Sequence, residues 1–322
     1  MKKTTLTKIT LATLCFAGFG VTSAHADNFG SGGNSFSIQF ADVGNAGNGN
    51  DAGAGGGIWS SPYGGVSYNY RIGVTEVSQD WITKATNLGM TNVTAGAWGA
   101  SQPAANMTWY EAAAFVNWMN TSTGHQAAYQ LNGTNTALTL WTGAQAWQAG
   151  GQNLYRHKDA YYFLPSENEW YKAAYHQNDG VTANYWDYPT ASNAVPDGID
   201  FSGDTAFDAV FDQGFLQGSP NAVTNVGSAS AYGTRGQGGN VQEWTESSGD
   251  GVNNFPGEGI AFRGGSWPSL DNVMVSQSRS ENGPQGSDAN TGFRVASVPE
   301  PSSVAASLLG VGVLMARRRR RR

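Results

Sequence analysis

The sequence predicts a loop-rich α+β domain, on three observations. Glycine supplies 44 of the 322 residues and tryptophan 11, a balance that favours ordered loops held by aromatic packing over a helical bundle. Two Ser/Thr-x-x-Glu capping boxes open short apolar-periodic runs, the signature of helix starts. One aromatic and β-branched run alternates with period two, as a strand does. The length suffices for one large core.

The first element is an address. Lys2, Lys3 and Lys8 precede an apolar run over residues 9–21, and Ala24-His25-Ala26 is a small-x-small cleavage site. Residues 1–26 therefore read as a secretory signal peptide, with Asp27 as the new N-terminus. Residues 27–65 are rich in Gly, Asn and Ser. Their Gly47-Asn48-Gly49-Asn50 run lacks the spacing of a nucleotide loop, so a loop or flexible lead-in is expected. The main domain is expected over residues 66–298.

Within it, residues 68–74 alternate as a strand. Ser78 is an N-cap, with Val77 and Ile82 at the positions of a hydrophobic staple and Gly89 as the stop. Thr108 and Glu111 form a capping box, followed by Ala112, Phe115, Val116 and Met119 on one face, with Gly124 at the end. Ser166 and Glu169 form another, followed by Trp170, Ala173 and Ala174. Glu167 and Glu169 are two apart, point different ways on a helix, and are not a catalytic pair. A polar insertion over residues 186–220 repeats aspartate every four residues, at Asp200, Asp204, Asp208 and Asp212. It reads as a solvated acidic loop or a calcium-binding one, without EF-hand spacing.

Gly238-Gly239-Asn240-Val241-Gln242-Glu243-Trp244 is the most informative stretch. Adjacent glycines permit a tight turn, after which Val241 and Glu243 would face one side and Gln242 and Trp244 the other. A carboxylate fixed there suits a structural cation, with Glu243 supplying charge and nearby carbonyls further oxygens. The plainer alternative is a strand after a glycine turn, with Glu243 exposed.

Charge and cysteine content exclude whole classes. Residues 27–298 keep 9 Lys and Arg against 23 Asp and Glu, a net of −14, which repels phosphate backbones and argues against a nucleic-acid partner. The single cysteine, Cys15, lies in the leader, so the mature chain has no disulfide, thiolate nucleophile or thiolate metal ligand. His125, His157 and His176 lie in separate segments without ligand spacing and are expected at the surface or at helix ends. No G-x-S-x-G or H-E-x-x-H motif is present. The chain closes on Pro299-Glu300-Pro301, a short apolar stretch over 302–316, and six arginines, Arg317 to Arg322. Fifteen residues are short for a stable span, and the arginines would stay on the cytoplasmic side.

Five blocks together carry a resemblance. Residues 106–118 resemble N-V-S-W-x-x-A-x-x-F-x-x-W, and residues 164–174 resemble L-P-T-E-A-E-W-E-x-A-A. Residues 238–244 resemble G-N-V-W-E-W, residues 263–267 R-G-G-S-W, and residues 292–294 G-F-R. These blocks, in this order, are those of the formylglycine-generating enzyme family, also called the sulfatase-modifying factor domain. The resemblance implies a variant of the C-type-lectin-like fold, with few helices on small twisted sheets and long ordered loops. It implies calcium at Glu243, with carbonyls of Gly239 and Val241 as ligands and Asn240 fixing the turn. Gln242 replaces a common Trp, and Phe163 replaces a usual Arg, so any ion pair of that Arg is lost.

The family's enzymes oxidise a substrate cysteine with copper and oxygen through two cysteines placed after R-G-G-S-W. Those positions fall near Ser269 and Met274, so that activity is not carried over and no copper is expected. The tail resembles the PEP-CTERM sorting signal, which implies recognition and tail removal by an exosortase after transient membrane anchoring. An ordinary C-terminal anchor is the alternative. Two functions follow: a non-catalytic binding or structural module of the cell surface or exopolysaccharide matrix, holding polysaccharide or a surface protein; or a protein-modifying enzyme of non-cysteine mechanism.

Overall fold

Alternation of apolar and polar residues from Phe36 to Phe40 places Phe36, Ile38 and Phe40 on one buried face, and this strand joins the N-terminal segment to the core. The computed structural model describes residues 25–53, 62–94, 96, 98–198, 208–214 and 217–298. The leader through Ala24, the tail from Pro299, and Asp200 and Asp204 lie outside the described residues.

The described strands are β1 (His25–Phe29), β2 (Phe36–Val43), β3 (Tyr70–Gly73), β4 (Gln130–Leu131), β5 (Leu138–Thr139), β6 (Ala146–Trp147), β7 (Asn153–His157), β8 (Tyr162–Phe163), β9 (Gln242–Ser248), β10 (Ile260–Arg263), β11 (Ser280–Asn282), β12 (Thr291–Phe293) and β13 (Ala296–Ser297). Three α-helices accompany them: α1 (Gln79–Asn87), α2 (Trp109–Ser122) and α3 (Glu167–Tyr175). They build a five-stranded sheet in the order β1-β2-β3-β13-β8, a four-stranded sheet in the order β11-β10-β9-β12, and two short hairpins. This is the loop-rich α+β fold that the sequence predicts. Among the described residues no helix is long and apolar enough to cross a membrane.

The N-terminal segment departs from expectation. Instead of a loop, residues 25–43 supply two strands of the larger sheet, with Asp27 bonded to Arg71 at 2.7 Å. The Gly and Asn around them hid a short period-two signal. The strand predicted over 68–74 forms as β3, but it is buried on both faces. Arg71 is covered because Asp27 neutralises it and its guanidinium lies 4.8 Å from the Phe40 ring centre.

The helices start where their caps predict. The Ser78 side chain accepts from the Trp81 N–H, and both capping boxes are closed by reciprocal hydrogen bonds. Val77 and Ile82 are buried, and α1 stops at Gly89 with φ +100°. On α2, Phe115 and Trp118 stack with Phe36 and Trp81. Buried indoles find acceptors: Trp109 donates to the Thr245 carbonyl at 2.8 Å and Trp244 to that of Met107 at 3.0 Å. These bonds tie α2 to β9.

Candidate functional site

The Gly238–Trp244 stretch forms a clamped turn. Gly239 has φ +78°, and a Cβ there would come within 2.1 Å of the Val210 carbonyl oxygen, so only glycine fits. Its N–H donates to the Gly264 carbonyl, and the Asn240 N–H donates to that of Val210. The insertion thus packs against the turn. Its Asp208 is buried, not solvated as expected, whereas Asp212 is exposed.

From this turn β9 carries Glu243 inward, where it is fully buried; the reading of an exposed glutamate is corrected. Parallel pairing sets Gly292 opposite Glu243 and so delivers Arg294 to it. Arg294 grips both oxygens, each at 2.6 Å, and the Trp170 indole of α3 donates to Oε2 at 2.7 Å. Asn240 accepts from the Asn221 N–H and donates to Glu76. The four residues expected at calcium do lie together, but their donor set does not fit that ion. Calcium takes roughly 6–8 oxygens, while the Glu243 carboxylate already accepts from a guanidinium that balances its charge. Among the described residues no group of three or more His, Cys, Asp or Glu is arranged to hold a metal.

Glu76 completes this centre. It is fully buried; Oε1 accepts from Asn240 at 2.9 Å, and Oε2 has no hydrogen-bond partner. Burial, and then the charge of Glu243, push its pKa up to about 8, so it holds a proton at neutral pH. Its only sequence signal is its place two residues before the Ser78 cap.

Neither Ser269 nor Met274, near which the family's cysteine pair is expected, carries a thiol. Ser269 Oγ is bonded to Ser266 Oγ at 3.0 Å, and Met274 is buried against Tyr188, Ala209 and Phe211. The histidines stay apart. His125 is exposed and stacks on Tyr161. His157 and His176 are buried, unlike a surface histidine, and desolvation lowers both pKa values. His176 does cap the end of α3, with Nδ1 2.9 Å from the Tyr232 hydroxyl.

A second charge centre lies beneath an open cleft. Arg156 of β7 sits between Glu169 of α3 and Glu246 of β9, at 3.0 and 2.7 Å, all three fully or almost fully buried. Its guanidinium lies 3.7 Å over the ring of Phe163 and 5.2 Å from that of Trp147. An arginine from a neighbouring strand therefore pairs with Glu169 although Phe163 stands where the family usually has Arg. Glu169 and Glu167 do point apart, the latter to Arg263 and Arg279. Burial opposes the Glu169 charge, but Arg156 and the Ser166 N–H outweigh it and lower its pKa. At Glu246 burial wins over the same arginine, and the pKa is raised. Tyr68 donates to Glu169, while Tyr129 and Asn153 donate to Glu246.

The cleft above has a volume of about 290 Å³. Tyr68, Trp147, Gln152, Asn153 and Asn168 line it together with the buried Arg156. Of the six only Asn168 falls within one of the five sequence blocks. The available sequence signal was a tryptophan followed closely by Gly150-Gly151 in a polar run.

Solved structures share this architecture. Treponema denticola variable protein 1 is 21% identical, with 85% of this chain and 99% of that one covered at a TM-score of 0.58. PvdO from Pseudomonas aeruginosa is 14% identical, covering 85% and 98% at 0.55, and CarF is 19% identical, covering 82% and 99% at 0.53. At these identities the likeness shows the fold alone. No curated protein matches the chain. The sulfatase-modifying factor enzyme 1-like domain model matches residues 47–298, and the chain belongs to that family.

Proposed function

We propose that this protein is a non-catalytic binding module, exported and sorted to the cell envelope or its polysaccharide matrix, where the Trp147 cleft holds polysaccharide. The observation that carries this reading is that Ser269, bonded to Ser266, and Met274, packed in the core, stand near the positions where the family's two thiols are expected. The leader and the Pro-Glu-Pro tail support export, with an exosortase-type enzyme as the processing partner. The cleft supports polysaccharide over a protein partner because amides and hydroxyls surround the Trp147 and Tyr68 rings, without the apolar anchor pocket a protein hot spot fills.

Affinity electrophoresis of the purified protein through polysaccharide-containing gels tests this. The wild type is expected to be retarded, and Trp147→Ala to lose at least about 1.4 kcal/mol of binding, a tenfold effect. Retardation indifferent to Trp147 removes the cleft from the proposal. An aldehyde formed on a sulfatase-type cysteine peptide with copper and oxygen would instead establish an enzyme.

A further inference from the structure

We propose that the Trp147 cleft accepts an uncharged sugar unit and turns acidic sugars away. This rests on the polysaccharide-binding reading above and adds the class of sugar. Arg156, the cation against the cleft, is 1% exposed and donates four of its five N–H groups to carboxylates. Its Nε donates to Glu246 at 2.9 and 3.0 Å, Nη1 to Glu169 at 3.3 Å, and Nη2 to Glu169 and Glu246 at 3.0 and 2.7 Å. Phe163 covers one face of the guanidinium. A carboxylate or sulfate entering the cleft finds a single guanidinium N–H, the second on Nη1, that is not already donated to Glu169 or Glu246. It meets two carboxylates balanced by one guanidinium, an excess negative charge in a poorly solvated setting.

What faces a ligand is neutral. Trp147 is half-buried, and Gln152 and Asn168 expose their amides. Asn168 Oδ1 accepts from the Gly64 N–H at 3.0 Å, which leaves its NH₂ group as a donor for a ligand. An aromatic face for the C–H side of a pyranose, with amides for its hydroxyls, suits an uncharged ring. The net charge of −14 over residues 27–298 acts in the same direction, though salt screens it beyond about 10 Å at 0.1 M.

The test is titration calorimetry of the purified protein with dextran, mannan and galactan, each against its carboxymethylated form. At least one neutral polymer is expected to bind, its carboxymethylated form about tenfold more weakly or worse, with the gap shrinking as salt rises. Gln152→Lys, a change at an exposed position, is expected to narrow that gap. Trp147-dependent binding of a carboxymethylated polymer as tight as its neutral parent would overturn the inference and leave the polysaccharide reading standing. If no polymer of either kind binds, that reading falls and this inference with it.

Discussion

The two buried charge centres share an inventory of one arginine and two glutamates, and they divide the arginine differently. Arg156 is shared between Glu169 and Glu246, and tyrosines, an asparagine and a backbone N–H meet their other needs. Of the two carboxylates Arg294 pairs with Glu243 alone, its other N–H groups donating to backbone carbonyls, which leaves Glu76 with one orphan oxygen and a proton. The shared centre lies beneath the open cleft, whereas the undivided one lies behind a turn too tight for a Cβ. Glu243 and Arg294 of the closed centre come from two family blocks, whereas the open site and the centre beneath it draw on residues 164–174 alone among the five blocks.

The largest expected effect breaks the shared centre. Arg156→Met leaves two desolvated carboxylates and should cost about 3–5 kcal/mol, because an unpaired buried charge is far worse than no charge. Denaturant unfolding at pH 7 measures it. Adding Glu246→Gln to the same chain should return part of the loss. A cost below about 1 kcal/mol would mean that the centre is more hydrated than its burial indicates.

A smaller effect distinguishes the undivided centre. The folded pKa of Glu76, about 8, exceeds that of an unfolded glutamate. Its stabilising contribution is thus whole below about pH 4.5, declines as pH rises through the unfolded value, and is lost by about pH 8. Glu76→Gln lacks this ionisation and keeps the bulk and the hydrogen-bonding amide. We expect its unfolding free energy to match the wild type near pH 4.5 and to exceed it by about 1–3 kcal/mol at pH 8. Parallel pH profiles for the two proteins would show that Glu76 ionises normally.

How much of this was legible follows from the range of each interaction. Helix starts are local, so Ser78, Thr108 and Ser166 announced them correctly. The fold class and the five blocks were legible for the same reason, since each block is a contiguous run. The ion pairs were not. Arg294 reaches Glu243 across 51 positions and Arg156 reaches Glu246 across 90, through strand pairings that no local pattern encodes. The N-terminal strands were missed because the glycines and asparagines around them suggested a loop. Asp208 was misread because its burial depends on packing against the Gly227 and Gly239 turns. Trp147 was one tryptophan among eleven until the fold set it over Arg156.

The smallest expected effect concerns the cation that the Glu243 motif suggested. If Arg294 already supplies the positive charge, a chelator should leave the unfolding midpoint unchanged. A calcium ion bound to the native state alone stabilises by RT ln(1 + [L]/Kd), about 2.7 kcal/mol at a hundredfold excess over Kd. Its removal would shift the midpoint of a domain this size by several degrees. Calorimetric scans with EDTA and with millimolar calcium therefore separate the two cases. Superimposable traces leave the guanidinium as the sole counter-charge of Glu243. A drop with EDTA that calcium reverses, and that Glu243→Gln abolishes, would place the ion at this carboxylate and require Arg294 to give up at least one of its two oxygens. The same drop persisting in Glu243→Gln would move the ion elsewhere, with the undivided centre intact.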